Sequence, residues 1–459
     1  MKSQTTMARL ANARQQWQPN PSQVVLMAFC GFILVGALLL SMPITHAAAP
    51  HSWVDDLFIA ASAVCVTGLA TIDPGTSYNW LGQLVLMLLI QVGGLGYMTL
   101  FTLSMLLVGR RLSMRDRVAM QEAMDQPGMT GIIRFFLKIV RFTLAVEGIG
   151  FILLAMHTVP ELGWGRGLYM ALFHAISAFN NAGFSLFAEG AVHWQHAPGV
   201  LLTLSALVIV GGLGYNVNHE LVDRFVLRKA SRHRWDVLIR LVLTMTAVLL
   251  VAGTGLFWWF EHANPRTLGG MPWHDQLANA FFMAVQPRTA GFNSLDIAAL
   301  DRPTLLLVMV LMFIGAGPGG TAGGIKLTTL AIIVAVILST ARGQDDVPLF
   351  GFKRTVNAKQ VRRAFTVMVL SLGVVVVSTI LLGSIERHAF LPLLFEAISA
   401  FSTVGLSMGI TGQLTDWGKL ILVATMLVGR VGVLVVLMSA ITQRRKTSIH
   451  YMEESLLIG

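Results

Sequence analysis

Charge is scarce in this chain. Aspartate, glutamate, lysine and arginine together make up 12% of its 459 residues, whereas soluble domains carry about 25%. A protein with so little charge lacks the polar surface that a globular domain needs in water, so a soluble protein is excluded. Cysteine is scarce as well. Cys30 and Cys65 both lie in apolar stretches, which excludes a disulfide framework.

The chain is instead rich in long apolar runs, and 55% of its residues are hydrophobic. A helix needs about 20 apolar residues to span a bilayer. The runs that approach this length are 22–43, 81–108, 142–160, 199–219, 241–260, 303–325, 364–385 and 420–442. They predict an all-α polytopic membrane protein with eight transmembrane helices. We expect the first to be a retained span, because no small-residue cleavage site follows it.

The positive charges are distributed unevenly. Of the 33 lysines and arginines, 25 fall in the two tails and in the segments 109–141, 222–240 and 340–363. Membrane proteins keep such an excess on the cytoplasmic side. We therefore expect both termini and the three basic loops in the cytoplasm, where these loops would meet a cytosolic partner or anionic membrane lipid. The net charge of +10 follows from this topology and does not indicate a nucleic-acid partner.

Short apolar stretches that end in a single glycine recur along the chain. The glycines are Gly68, Gly183, Gly291 and Gly405, separated by 115, 108 and 114 residues. The helix-like runs before them, at 55–62, 168–177, 276–283 and 391–399, are too short to span a membrane. Each lies between two spans on the external side, so we predict that it enters the membrane and turns back.

This order predicts four helix–pore-loop–helix repeats, with four re-entrant pore helices, around a pseudo-fourfold pore. The predicted boundaries are 1–21 for a cytoplasmic N-terminal tail, 22–115, 130–235, 236–345 and 355–445 for pore repeats 1 to 4, and 446–459 for a C-terminal tail.

The glycine turns predict a cation filter. A half-helix that enters from outside points its C-terminal, negative dipole end toward the membrane centre, which favours a cation there. Glycine permits the backbone angles that turn carbonyls toward a pore, and carbonyl rings can replace the hydration shell of potassium. The alternative is that these glycines only pack helices together. The predicted filter residues are Val66, Thr67, Gly68, Asn181, Ala182, Gly183, Thr289, Ala290, Gly291, Thr403, Val404 and Gly405.

The sixth span contains a segment, 315–324, that holds six glycines and a proline. No α-helix tolerates that composition, so we predict two half-helices joined by an irregular loop that lines the ion path. Our hypothesis is that this loop blocks the pore and moves when a partner changes state; the alternative is a kink without a gating role. The predicted gate residues are Gly315, Gly317, Gly319, Gly320, Thr321, Gly323, Gly324, Lys326 and Arg430.

Several charged side chains in apolar sequence have two interpretations each. Lys326 either bonds the loop carbonyls or extends toward cytoplasmic water. Arg430 either forms a barrier below the filter and holds the loop, or is paired inside the bundle. Arg288, His174 and Glu396 are predicted to support the filter rather than bind the ion. Glu147 is either a sodium ligand or the partner of a neighbouring helix.

The aspartates near the external mouth either concentrate cations there or form a plain solvated surface. They are Asp55, Asp56, Asp73 and Asp275.

The motifs resemble the Trk/Ktr/HKT superfamily of potassium transporters, and most closely its KtrB branch. The stretches that carry the resemblance are 67–69, 176–184, 288–294 and 398–406 for the filter segments and 91–96, 211–214 and 428–430 for motifs of the second helices. The glycine-rich loop lies where that family has an intramembrane gating loop, and Arg430 matches an arginine with a role there. Relatives that prefer sodium replace the first filter glycine by serine, so Gly68 favours potassium.

The resemblance implies a homodimer in the inner membrane of a bacterium, with a cytosolic KtrA-like ring of nucleotide-binding regulatory subunits. ATP and ADP would bind that ring and not this chain, and uptake would be sodium-dependent. The alternative within the family is a sodium-permeable or poorly selective cation transporter. More remote alternatives are an intramembrane enzyme, although no HExxH motif occurs, and a membrane scaffold.

Overall fold

The computed structural model describes residues 21–47, 51–96, 132–226, 235–344, 346–349, 352 and 354–440. Helices make up almost all of its regular structure. Within these ranges, the strands are two antiparallel pieces of two residues each, Pro348–Leu349 and Arg354–Thr355. The all-α prediction is therefore confirmed.

Each repeat begins with a long uninterrupted helix, which we call its first helix. These helices are Pro21–Leu40, Ile132–Leu162, Val237–Glu261 and Ala358–Ile385. Only 28–33% of their most apolar windows is buried, and large apolar side chains such as Leu38, Val251 and Ile380 are exposed. An apolar surface of this extent is stable only against lipid, so the first helices form the lipid-facing layer.

A short helix follows each first helix. The short helices are Trp53–Val64, Trp164–Phe179, Trp273–Val285 and Phe390–Ser402. Each begins with an exposed aromatic residue, as is typical of a membrane–water interface, and its C-terminal turns are buried. The short helices therefore enter the protein from one interface and end inside it, which is the re-entrant arrangement that the sequence predicts.

A second helix completes each repeat, and here the structure corrects the sequence prediction. The runs 199–219 and 420–442 are not continuous spans. The first run forms the helices Pro198–Leu213 and Tyr215–Leu221, with a bend of 107° in this span. The second run forms the helices Asp416–Val431 and Val433–Ala440, with a bend of 99°. The bends lie at Gly214 and Gly432, whose φ angles of 97° and 94° are left-handed. An L side chain rarely adopts these angles, so the helix cannot continue.

The other two second helices end at a similar depth. In repeat 1 the helix Trp80–Gly94 ends just before Gly96, which has a φ of 79°, and residues 97–131 lie outside the described part. In repeat 3 the helices Arg302–Phe313 and Leu327–Ala341 are separate, as predicted. Within the described residues the second helices of repeats 2, 3 and 4 are thus interrupted, whereas the sequence indicated it for one.

Shorter segments connect these helices. They are the helical turns Pro43–Thr45, Pro74–Ser77, Val192–Trp194, Ile297–Ala299 and Thr411–Gln413, and the wider turn Val222–Val226.

The core lies where the short helices meet the second helices. Glycines of the second helices contact backbone carbonyls in the last turn of the short helix of the same repeat, and any side chain there would collide with the carbonyl oxygen. The pairs are Gly93 with Val64, Gly211 with Phe179, and Gly429 with Phe401. Small residues allow this close approach between membrane helices. They fix the end of each short helix against its second helix.

Candidate ion-conduction site

The four glycine turns form a closed ring. A Cβ atom placed on any ring glycine would lie within 2.6 Å of a carbonyl oxygen of the adjoining turn. The contacts run from Gly68 to Ala182, from Gly183 to Ala290, from Gly291 to Val404, and from Gly405 back to Thr67. Each turn therefore touches the next, and the last touches the first. This is the pseudo-fourfold arrangement that the glycine spacing predicts.

A strained backbone precedes each ring glycine. The non-glycine residues with positive φ in the described ranges are Val66, Asn181, Thr289 and Thr403, with values of 52° to 70°. Each stands two positions before a ring glycine, which is itself left-handed. Such angles cost about 1–3 kcal/mol at a β-branched residue and persist only where the surroundings hold them. They cluster at ligand sites, so their recurrence in all four turns makes the ring a candidate ligand site.

Hydrogen bonds to the short helices hold the turns. The amides of Thr67, Ala182 and Val404 donate to the carbonyls of Ser62, Ser177 and Ser399 at 2.7, 2.7 and 2.9 Å. Serine hydroxyls add to this: Gly68 N donates to Ser62 Oγ at 3.0 Å and Gly405 N to Ser399 Oγ at 3.1 Å.

Repeat 3 has Val285 in place of the serine, and Gln286 takes over its role. The carbonyl of Gln286 accepts from Ala290 N at 3.0 Å, and its Oε1 accepts from Phe292 N at 3.2 Å. Sequence reasoning missed these residues. The signal was present, because a serine stands six positions before three of the four ring glycines.

The carbonyls of the ring are the groups that remain for a ligand. Those of Thr67, Ala182, Ala290 and Val404 accept no hydrogen bond from any residue that the structure describes, although these residues are at most 1% exposed. Buried carbonyls normally have partners. Together with the four helix C-termini, whose dipole ends are negative, they form a site suited to a dehydrated cation.

His174 and Glu396 contact the residues just beyond two of the turns. The His174 ring lies 2.8 Å from Met170 O and 3.1 Å from Ser185 Oγ. Glu396 accepts from Ser407 and, at 3.1 and 3.2 Å, from Thr411. Ser185 and Ser407 stand two positions after Gly183 and Gly405. That His174 and Glu396 support the filter remains a prediction. Their contacts with Ser185 and Ser407 are those that such support requires.

Arg288 is buried beside the third turn. Its Nη2 donates to the hydroxyl of Thr246, on the first helix of repeat 3, at 3.2 Å. The guanidinium is thus attached to the lipid-facing layer of its repeat.

The glycine-rich segment 315–324 forms a loop whose two ends are joined. Gly315 N donates to Ile325 O at 2.8 Å and Leu327 N to Ala316 O at 3.1 Å. The loop also bonds the bend of the repeat 2 second helix, since Gly317 N donates to Gly212 O at 2.9 Å and Tyr215 N to Gly319 O at 3.1 Å. It therefore fits against two interrupted second helices at once.

The loop lies directly against the ring. Thr321 Oγ1 is 3.1 Å from the side-chain amide of Asn181, and Gly323 packs so closely on Thr403 that a side chain there would collide with its hydroxyl. Asn181 and Thr403 are left-handed residues of turns 2 and 4. The structure thus brings together the predicted filter and the predicted gate.

Two positively charged side chains, those of Lys326 and Arg430, donate hydrogen bonds to carbonyls of this loop. Lys326 Nζ donates to Ala322 O at 2.5 Å. Arg430 donates through one guanidinium nitrogen to Thr321 O and through the other to Gly93 O at 2.5 Å. Arg430 belongs to repeat 4, so its side chain links the second helices of repeats 4, 3 and 1. The sequence left two interpretations of Lys326, and its contact with Ala322 O agrees with the one in which Lys326 bonds the loop carbonyls.

Glu147 is part of a polar cluster behind the ring. Its Oε1 accepts from Asn180 Nδ2 at 2.9 Å and its Oε2 from Gln91 Nε2 at 3.3 Å. Both carboxylate oxygens thus have partners on neighbouring helices. This is the arrangement of the second interpretation, a residue paired with a neighbouring helix.

The aspartates near the start of the short helices also have partners. Asp55 pairs with Lys419 at 2.7 Å, Asp73 accepts from Gly75 N at 3.0 Å, and Asp275 contacts His196 at 2.9 Å. The hydroxyl of Tyr78 donates to Asp56 at 2.6 Å. Pairing of this kind weakens the attraction of Asp55 and Asp275 for cations in solution.

A family model described as a cation transport protein, TrkH, matches residues 4–450. The chain belongs to this TrkH family. The resemblance seen in the sequence is thereby confirmed, and so is the prediction of a transport protein rather than an enzyme. Membership of the family also makes the chain a multi-pass membrane protein of a bacterial type.

Individual relatives align with this chain over nearly its whole length. The chain is 39% identical over 439 residues to the Ktr system potassium uptake protein B of Bacillus subtilis, covering 96% of this chain and 97% of the relative. It is 39% identical over 437 residues to the protein of the same name from Vibrio alginolyticus, covering 95% and 94%. It is 36% identical over 447 residues to the potassium/sodium uptake protein NtpJ of Enterococcus hirae, covering 96% and 97%.

A solved structure shares the fold. The potassium transporter TrkH from Vibrio parahaemolyticus superimposes with a TM-score of 0.70 at 18% identity, covering 89% of this chain and 84% of that one. At this identity the likeness concerns the fold alone.

Proposed function

We propose that this chain takes up potassium across the cytoplasmic membrane of a bacterium through its ring of backbone carbonyls. The observation that carries the proposal is the ring itself: four adjoining turns, each strained and tied to its short helix, with buried carbonyls that accept no hydrogen bond from the described residues. Two relatives with 39% identity are named as potassium uptake proteins, which supports the same ion.

Carbonyls select an ion by replacing its hydration shell. Here each repeat contributes one strained turn, so the ring offers a short filter with few stacked sites. Entry is passive, since the chain carries the cation down its electrochemical gradient. Potassium-binding residues in this proposal are those of the four turns, 66–68, 181–183, 289–291 and 403–405.

A second candidate is a transporter that also carries sodium. It is favoured by the name of the Enterococcus hirae relative, a potassium/sodium uptake protein. Gly68 favours potassium, because a serine there would place a side chain against the adjoining turn at Ala182. Flux of the two ions through the same preparation distinguishes the candidates.

The loop 315–324 acts as the gate in this proposal. It lies against turns 2 and 4 and is held by Lys326, Arg430 and Thr321. Bonds between the loop and several repeats keep it in place, and conduction requires that it withdraw from the ring. The positive charge of Arg430 adds an electrostatic barrier to a cation below the ring.

A cytosolic regulatory ring would move the gate. The relatives are named as parts of a Ktr system, which supports a partner, and we propose a nucleotide-binding ring that senses ATP and ADP. The helix Leu327–Ala341 runs from the loop to the basic segment 340–363. Its 15 residues span about 22 Å at about 1.5 Å per residue, so a partner that binds this segment can pull on the loop. A homodimer, cytoplasmic termini and sodium dependence complete the proposal.

Growth of a bacterium that lacks potassium uptake tests this function. We expect the chain, expressed with its regulatory partner, to restore growth on low potassium, more strongly with sodium present. A Gly291→Val variant is the matched control, because its side chain would collide with Val404 O and break the ring. Failure to restore growth with the chain in the membrane, or equal growth with the control, would contradict the proposal.

A further inference from the structure

Three potential metal ligands converge far from the ring, where the first short helix begins. His46 follows the turn Pro43–Thr45 at the end of the first helix, His51 precedes the short helix Trp53–Val64, and Asp56 lies in that helix's first turn. One ligand atom from each lies within 4.8 Å of the others. The side chains of His46 and Asp56 are only 5% and 1% exposed.

Neighbouring groups orient these side chains as metal sites require. His46 Nε2 lies 2.9 Å from Leu40 O, so a ring protonated there donates to that carbonyl. Asp56 Oδ1 accepts from the Tyr78 hydroxyl at 2.6 Å. Metal-ligating histidines and carboxylates are commonly held by such bonds to carbonyls and donors.

One ring nitrogen of each histidine lacks a partner. Nδ1 of His46 and Nδ1 of His51 are both buried without a hydrogen bond among the described residues. The two imidazole rings are packed edge to face with their centroids 4.8 Å apart, and the His51 ring lies 5.7 Å from that of Tyr78. Buried polar atoms without partners are rare and call for an explanation such as a missing ion.

We propose that His46, His51 and Asp56 bind a divalent transition-metal cation of the Zn²⁺ class. Two imidazole nitrogens and one carboxylate oxygen are a donor set that suits zinc, with a fourth position for water. Potassium and sodium are transported ions that prefer oxygen ligands, so this site is separate from conduction. Zinc–ligand bonds of about 2.0–2.1 Å require the three side chains to draw together on binding.

The site connects the end of the first helix to the start of the short helix of repeat 1. The opposite end of this 12-residue helix leads into Gly68. A bound metal therefore joins two elements that support the first turn of the ring, and it stabilises the folded state because it binds that state alone.

A second histidine–aspartate cluster provides a control within the same chain. His196 Nδ1 lies 2.9 Å from one oxygen of Asp275 and His274 Nε2 lies 3.3 Å from the other. Both histidine side chains are more than half exposed, at 59% and 58%. Each imidazole takes its own carboxylate oxygen, so the atoms do not converge on one point.

Titration of the purified full-length chain, first treated with a chelator, tests the site. We expect one high-affinity Zn²⁺ per chain by calorimetry, and a Co²⁺ absorption spectrum of a four-coordinate site. His51→Ala and Asp56→Asn should each weaken binding by at least about tenfold, since even the loss of an outer-shell partner weakens metal sites about 10–100-fold. The double variant His196→Ala/His274→Ala should bind as the parent chain does.

The midpoint temperature of thermal unfolding gives a second readout. Zn²⁺ should raise this temperature in the parent chain and in the control variant, but not in His51→Ala. Size-exclusion chromatography verifies that each variant is folded. Absence of stoichiometric binding to the folded parent chain would overturn the proposal. Undiminished binding by His46→Ala/His51→Ala, or loss of binding in the control alone, would overturn it equally.

Discussion

The ring and the glycine-rich loop are both irregular backbone inside the protein, and they are held in opposite ways. Each ring turn is tied to its own short helix, through bonds such as those from Thr67 and Gly68 to Ser62. The loop is held within repeat 3 by Lys326, and by other repeats through Gly212 of repeat 2 and Arg430 of repeat 4. In the proposed function, local bonds keep the ring carbonyls in place while the loop moves, and the bonds between repeats break together when the repeats shift.

Packing shows the same difference. Every ring glycine lies against the backbone of the adjoining turn, so no ring residue can move alone. At the tip of the loop, a Cβ on Gly319 would meet no described atom within 4 Å. The loop is otherwise packed as closely as the ring, since a Cβ on Gly315, Gly317 or Gly323 would lie within 2.2 Å of a described atom. Only the tip of the loop therefore has room to change its shape. This contrast is the physical basis for assigning selectivity to one and gating to the other.

The largest expected effect comes from shortening the loop. Deletion of residues 315–323 removes the backbone that lies against turns 2 and 4, so ion flux without the regulatory partner should rise at least about tenfold, the change that about 1.4 kcal/mol produces. Flux into proteoliposomes measures it. Gly270→Ala is the control, because that position is open. Unchanged flux after deletion would leave the loop as a structural kink.

Arg430→Ala should have the next largest effect. It removes donors to Thr321 O and Gly93 O, and a hydrogen bond to a charged group contributes about 1.5–3 kcal/mol. Because Lys326 and the backbone bonds of the loop remain, only part of this energy is expressed, and flux without the partner should rise several-fold. Arg430→Lys keeps the positive charge but loses the two-pronged geometry. A flux between that of the parent chain and that of Arg430→Ala would show how much of the effect comes from the hydrogen bonds and how much from the electrostatic barrier. Equal flux in all three proteins would indicate a purely structural arginine.

The smallest of these three effects is expected from the loss of one hydrogen bond that supports the ring. Ser399→Ala removes the hydroxyl that accepts from Gly405 N, a bond worth about 1 kcal/mol. The potassium-over-sodium flux ratio should fall several-fold while the flux without partner stays low. Ser384→Ala is the matched control, since that hydroxyl bonds Leu381 O at an exposed position. A rise in flux with an unchanged ratio would reverse the assignment of ring and loop.

The repeat architecture and the ring could be predicted from the sequence, because near-constant spacing of Gly68, Gly183, Gly291 and Gly405 is visible without coordinates. The break at 315–324 was also visible, since six glycines and a proline exclude a helix. The bends at Gly214 and Gly432 were not. A single glycine inside an apolar run is compatible with a continuous membrane helix, and only its left-handed φ shows otherwise.

Partners on different helices were also beyond sequence reasoning. Thr246 as the partner of Arg288, and Asn180 as the partner of Glu147, depend on how the helices of one repeat pack against each other. The left-handed angles of Val66, Thr289 and Thr403 contradict the local preference of β-branched residues. Tertiary bonds override that preference, so these angles could not have been deduced from residue type.

The central claim is that carbonyls of the ring distinguish potassium from sodium. Its most direct test is the ratio of potassium to sodium flux for the parent chain and for Gly68→Ser, measured in vesicles of the same composition. A side chain at Gly68 would collide with Ala182 O and change the spacing of two turns. We expect transport to persist and the ratio to fall at least about tenfold, equivalent to about 1.4 kcal/mol of discrimination. An unaltered ratio would contradict the assignment of the ring as the selectivity filter.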